Sequence, residues 1–209
     1  MKKKMKFIGV TGGVGAGKSE ILAFLKEWPR TRVMLADEIA HELMQAGTSC
    51  YDRLCEAFQG EDLFLEGAGV GASFDRIKLA KLIFTDDKKR ERLNKIVHPA
   101  VKEYVQSVWE EEKKKNELDF LVLEAALLIE EHYDTICDEL WYIYTREDVR
   151  RERLKRTRGY SDEKIDGIFA SQLSEDVYRA HCKRVIDNNG SRMESLKQVE
   201  DALRRVADE

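Results

Sequence analysis

Four glycines, a lysine and a serine fall within eight residues near the start of the chain, as Gly12-Gly13-Val14-Gly15-Ala16-Gly17-Lys18-Ser19. The segment satisfies G-x-x-x-x-G-K-[ST]. Its glycines can take positive φ and bring backbone N–H groups around phosphate oxygens. A strand has to deliver such a turn and a helix has to receive it. Both flanks comply: Lys6 to Val10 is a short apolar run, and Ile21, Leu22, Phe24, Leu25 and Trp28 recur at helical spacing until Pro29. The helix start adds unpaired N–H groups and the positive end of its dipole. Lys18 is placed to reach β- and γ-phosphates, and the Ser19 hydroxyl suits Mg²⁺. The expected nucleotide contacts are therefore Gly13, Val14, Gly15, Ala16, Gly17, Lys18, Ser19 and the adjoining Glu20.

The order of the remaining segments predicts an α/β fold with a parallel sheet covered on both faces. Strands are expected at Val33–Leu35, Phe120–Leu123, Leu140–Tyr144 and Arg184–Ile186. Helical patterns run from Asp37 to about Phe58, broken near Gly47, and from Asp75 to about Lys114. Pro99 has no N–H and biases His98 away from helical angles, so a helix boundary is predicted there. Gln59 to Ser73 reads as loop with room for a brief strand. Further helices are expected over Val149–Thr157, Ser161–Leu173 and from about Met193.

A net charge of −4 argues against a general nucleic-acid binder. No window reaches the roughly 18 apolar residues that span a bilayer. Cys50, Cys55, Cys137 and Cys182 show no metal-ligand spacing, so reduced thiols in a cytoplasmic protein are expected. The glycine loop alone fits GTPases, transport ATPases, helicases and small-molecule kinases. A guanine-reading N-K-x-D is missing, because Asn94-Lys95 is followed by Ile96-Val97. Motor and transport ATPases need a longer chain. A compact kinase fits best.

Several further segments, in order and spacing, are similar to those of the dephospho-CoA kinase family over nearly the whole chain. They are Gly9 to Ser19, Ala36-Asp37-Glu38-Ile39-Ala40, Phe74-Asp75-Arg76 and His98-Pro99, followed by Glu124 to Glu130, Arg153-Leu154, Gly159-Tyr160-Ser161, Gln172 and Ile186 to Gly190. The resemblance implies a three-layer P-loop fold with an inserted helical acceptor-binding subdomain at about 37–108 and a lid at about 150–161. It implies that ATP, with Mg²⁺, phosphorylates the ribose 3′-hydroxyl of 3′-dephospho-CoA; a monomer or weak homo-oligomer is expected.

The resemblance also distributes roles. The family carries Asp-Ala-Asp where this chain has Leu35-Ala36-Asp37, and the retained Asp37 is the expected base; a helix N-cap is the alternative. Glu124, at the end of a buried strand, is expected to hold Mg²⁺ or its water shell and to border the substrate, or else to be a structural acid. Arg76 and His98 are expected in the acceptor site, with a surface ion pair and a helix-ending hydrogen bond as alternatives. Arg150 to Arg158 is strongly basic. The usual lid arginine falls on Thr157, so Arg153 with Arg156 or Arg158 is expected to serve the phosphates. Asn188 and Asn189 either read the adenine edge or form a turn. Two rivals share the loop: a kinase for another nucleoside or nucleotide, and an idle ATP-binding regulator.

Overall fold

The structure, a computed structural model, describes residues 4–63 and 74–208. It divides into two compact units, one formed by Met1–Leu35 with Glu111–Glu209, the other by Ala36–Glu110.

The first unit is built on five parallel strands: β1 (Lys6–Thr11), β2 (Thr31–Leu35), β3 (Phe120–Glu124), β4 (Glu139–Tyr144) and β5 (Arg184–Asp187). Their order is β2-β3-β1-β4-β5. The central strands are apolar on both faces, as a sheet covered on both sides requires. Helices α1 (Lys18–Glu27) and α9 (Arg192–Asp208) close one face. There Ile8, Val10, Val122, Trp141 and Ile143 pack with Ile21, Leu25, Val199 and Leu203. On the other face Gly9 leaves room for Leu140, Leu128 and Cys137, and Tyr142 stacks on Tyr178 with centroids 4.6 Å apart.

From β1 the chain crosses to β2 on one side, and from β3 it crosses to β4 on the other. The carboxyl ends of β1 and β3 therefore flank a switch point, where an open parallel sheet has its ligand crevice. Register aligns Val10 with Glu124, and Glu124 with Leu35. The glycine-rich turn and Glu124 thus meet at that crevice through topology alone.

Helices α6 (Glu147–Arg158), α7 (Asp162–Ala170) and α8 (Glu175–His181) follow β4. The expected helix over Ser161–Leu173 corresponds to α7, capped by Ser161. Helix α8 was not legible, since it has only seven residues and buries only Tyr178. The described residues contain no helix long and apolar enough to cross a membrane.

The second unit carries α2 (Ala36–Leu43), α3 (Ser49–Ala57), α4 (Arg76–Thr85) and most of α5 (Asp87–Lys115). The break near Gly47 is present, with Gly47 at φ 95° and Thr48 capping α3. Most of the expected loop, residues 64–73, lies outside the described residues.

The boundary predicted at His98-Pro99 is corrected: α5 runs straight through Pro99. The break falls instead at Asp86, whose carboxylate accepts from the N–H groups of Lys88 and Lys89 at 2.9 and 3.1 Å. Leu93, Ile96, Val97, Val101, Val105 and Val108 form a buried stripe along α5, while Pro99 is exposed. Proline there forfeits one hydrogen bond on the outer face, about 3 kcal/mol. Burial of six apolar side chains, at roughly 1.5–3 kcal/mol each, outweighs it.

Candidate active site

The turn between β1 and α1 is held open from below. Gly15 and Gly17 take φ 84° and 86°, which side chains with a Cβ rarely adopt. A Cβ on Gly17 would overlap the Asn188 amide, and one on Gly13 would overlap the Arg150 guanidinium. The carbonyl of Ala16 receives three donors: Asn188 Nδ2 at 2.7 Å, Thr145 Oγ1 at 3.0 Å and Arg153 Nη1 at 3.5 Å. Within the turn the Ala16 N–H donates to Gly13 O at 3.1 Å, so both polar groups of the Ala16 backbone are engaged in holding the loop's shape.

Lys18 begins α1. Its Nζ donates to Gly12 O at 2.6 Å and lies 3.5 Å from Glu124 Oε1, each side chain 16% exposed. Strand β3 supplies the acid and β1 the loop, so the ammonium is poised at the mouth with a half-buried counter-charge. Ser19 is exposed on the first turn of α1. A hydroxyl and a carboxylate are hard oxygen donors, and Mg²⁺ takes one or two such ligands together with phosphate oxygens and water. No group of three or more His, Cys, Asp or Glu ligands occurs among the described residues. A single hydroxyl and a single carboxylate suit an ion that takes most of its ligands from other oxygen donors.

The expected contacts divide. Gly13, Val14, Gly15, Ala16, Gly17, Lys18 and Ser19 form one continuous loop and helix start, with Glu124 beside it. Glu20 turns away: its carboxylate pairs with Arg192 Nε at 2.8 Å. Asn188 is buried, and its side-chain amide is committed to Ala16 O, so it braces the loop instead of reading a base edge. Asn189 accepts from the Arg146 N–H at 2.8 Å and donates to Asp187 Oδ1 at 2.7 Å, which makes it a turn former.

Among the arginines, Arg153 lies beneath the loop, donating to Asn188 O at 2.9 Å as well as to Ala16 O. Arg156 and Arg158 are exposed, and Arg158 lies 5.9 Å from the Tyr160 ring centre. The residue that meets the upper side of the loop is Arg150. Its Nε donates to Val14 O at 2.9 Å, its Nη2 donates to Gln172 Oε1, and its guanidinium covers the Phe169 ring at 4.4 Å. Burial pushes its pKa below the ordinary arginine value. A signal for it existed. Leu154 is the one buried residue of α6, and counting back one turn from it reaches Arg150 and Arg151 while leaving Arg156 on another face.

Asp37 is the second residue of α2, two positions beyond the end of β2. It is exposed and lies inside the first turn, so it is not the N-cap, and its carboxylate makes no hydrogen bond or ion pair with the described residues. His98 is half-buried within α5. Arg76 is the first residue of α4, and its side chain lies outside the described part of the structure.

Comparison with known proteins gives a consistent result. The family model for dephospho-CoA kinase matches residues 6–194. A dephospho-CoA kinase of Symbiobacterium thermophilum is 34% identical over 205 residues, covering 96% of this chain and 81% of that protein. One from Bacillus licheniformis is 35% identical over 202 residues, covering 96% and 94%. Among solved structures, TT1252 from Thermus thermophilus superposes with a TM-score of 0.76 at 26% identity, covering 98% of both chains.

Proposed function

The chain belongs to the dephospho-CoA kinase family and is an ATP-dependent kinase acting in coenzyme A biosynthesis; from that premise we propose how its residues divide the reaction. The γ-phosphoryl group of ATP passes to the ribose 3′-hydroxyl of 3′-dephospho-CoA. The bond between the γ-phosphorus and the β,γ-bridging oxygen breaks, a bond from phosphorus to the 3′-oxygen forms, and ADP leaves. Asp37 orients the hydroxyl and takes its proton.

The observation that carries this reading is the crevice between β1 and β3. It combines a glycine loop with its carbonyl tied down, an ammonium at its mouth and a carboxylate 3.5 Å away. Backbone N–H groups of the loop from Gly13 to Ser19, other than that of Ala16, which donates to Gly13 O, hold the phosphates. Lys18 neutralises charge on the β- and γ-oxygens, which grows toward the leaving group as the bond breaks. Ser19 and Glu124 are the residues that would hold Mg²⁺, which when bound supplies further neutralisation of phosphate charge. Arg153 acts from below through Ala16, keeping the loop in shape. Arg76 and His98 belong to the acceptor side, and Asp37 serves that side with no competing partner among the described residues. The assembly we propose is a monomer or weak homo-oligomer in the cytoplasm.

The test is ADP release from ATP with dephospho-CoA, AMP and adenosine as acceptors. Turnover is expected with dephospho-CoA. Turnover with AMP or adenosine alone would replace the substrate, and acceptor-independent silence with retained ATP binding would make the chain a regulator.

A further inference from the structure

We propose that Arg150, at the loop-facing start of α6, supplies the guanidinium that contacts the γ-phosphate of ATP and neutralises it during transfer. This rests on the kinase reading above and adds a residue to it.

Three observations converge on this side chain. The first is position. The guanidinium lies against Gly13 so closely that only a residue without Cβ fits beneath it, and it donates to the next carbonyl, Val14 O, at 2.9 Å. Loop N–H groups near the start of α1 would cradle the inner phosphates, which leaves the Gly13 and Val14 end of the loop for the terminal one. Thr157, two turns along the same face of α6, carries no charge and donates its hydroxyl back to Arg153 O at 2.7 Å.

The second is charge. Arg150 forms no ion pair with any described carboxylate, although neighbouring cations do. Arg151 pairs with Asp162 at 2.9 Å, and Lys155 pairs with the same residue at 2.7 Å. Arginine cannot shed its proton to relieve burial. A desolvated guanidinium held only by a carbonyl, an amide oxygen and the face of Phe169 lacks a counter-ion. Nη1 makes no hydrogen bond within the described protein. An anion with several acceptor oxygens, delivered to Gly13 and Val14, would complete the site.

The third is space. Arg150 walls a cavity of about 370 Å³ together with Tyr142, Tyr144, Gln172 and Tyr178. The guanidinium is therefore not packed on every side and can change its angle, while Gln172 and Phe169 keep it beside the loop. Arg156 and Arg158 have no comparable station.

The test compares Arg150→Ala and Arg150→Gln with Arg156→Ala and Arg158→Ala. It reads kcat with dephospho-CoA, dissociation constants for ATP and ADP, and rescue by added guanidinium ion. Arg150→Gln keeps a donor for Val14 O without the charge, so it stays informative if Arg150→Ala unfolds. Both Arg150 variants should lose about 100-fold or more in kcat. Both should also lose most of the preference for ATP over ADP, and guanidinium should restore part of the turnover of Arg150→Ala. Arg156→Ala and Arg158→Ala should lose far less. Equal loss of ATP and ADP affinity without rescue would reduce Arg150 to a loop brace and overturn the proposal, as would a larger loss at Arg156 or Arg158. The nucleotide preference is measured without any acceptor, so a wrong acceptor assignment would not obscure the result.

Discussion

Asp37, at the start of α2, and Thr11, at the end of β1, are polar residues with opposite prospects. Asp37 is exposed and unengaged by the described residues, so replacing its charge should leave the fold intact. Asp37→Asn is expected to lower turnover about 100-fold or more while ATP affinity measured by calorimetry hardly changes. Full activity would remove it as the base. Thr11 ends β1 with its hydroxyl fully buried and without a hydrogen-bond partner among the described residues. A buried, unsatisfied polar group is destabilising by about 1–3 kcal/mol, and valine keeps the shape without it. Thr11→Val should therefore raise the urea midpoint. A lower midpoint would show that the hydroxyl has a partner, such as an ordered water. The placement of Lys18 and Ser19 at the end of the turn and the start of α1 was legible in the sequence, because the spacing of the glycines fixes it. The engagement of Asn188 and Glu20 was not legible, because what mattered was which neighbour, Ala16 O or Arg192, claimed the side chain.

At the scale of elements, β4 and β5 are joined by a buried charge and α5 tolerates a proline. Glu139 starts β4 and is 5% exposed. Burial pushes its pKa up, but hydrogen bonds from Arg184, Lys183 and the Trp141 indole outweigh this and leave it below the ordinary carboxylate value. A folded pKa below the unfolded one means that its stabilisation is complete above the unfolded value and disappears as pH falls through the folded one. Stability should thus decline on acidification below about pH 4.3. Glu139→Gln should flatten that part of the profile and lower stability near neutrality by about 1.5–3 kcal/mol, since the half-buried Arg184 loses the charged acceptor it donates to. An unchanged acid limb would show that other carboxylates set it. Pro99→Ala restores one N–H to α5. Its helix-propensity gain of about 3 kcal/mol, less about 1 kcal/mol for a looser unfolded chain, should raise Tm by several degrees. An unaltered Tm would mean that the exposed face already accommodates the ring. The contrast explains what sequence reading missed. Local chemistry at His98-Pro99 argues for a break, while the stripe from Leu93 to Val108 decides otherwise, and only the stripe is backed by burial. Helix α8 has too few buried residues to leave a periodic trace.

For the whole molecule, the informative quantity is how ligand binding is shared between two units. Residues 12–19 belong to the unit formed by Met1–Leu35 and Glu111–Glu209. ATP bound there at a hundred times its Kd stabilises whatever unfolds with that unit by about 2.7 kcal/mol. For a chain of this length that corresponds to roughly 5–10 °C in Tm. The Lys18 ammonium supplies charge that the loop N–H groups cannot, so Lys18→Ala should abolish most of the shift while leaving the ligand-free Tm within a few degrees. Trp141 is fully buried in the same unit's core and Trp28 packs against it, whereas Trp109 belongs to Ala36–Glu110. In a Trp109→Phe background, tryptophan fluorescence therefore follows the nucleotide-binding unit alone, while circular dichroism follows all helices. If the units unfold as one, Mg-ATP will move both signals together by the same number of degrees. If they unfold separately, the fluorescence transition will move and part of the dichroism transition will stay behind. We expect the first outcome, because α5 runs unbroken from Asp87 to Lys115 across the point where the second unit gives way to the first, so melting either unit removes helix from the other. A dichroism component that stays fixed as ATP is raised would refute that coupling, and a fluorescence transition indifferent to ATP would refute the placement of the nucleotide at Gly12 to Ser19.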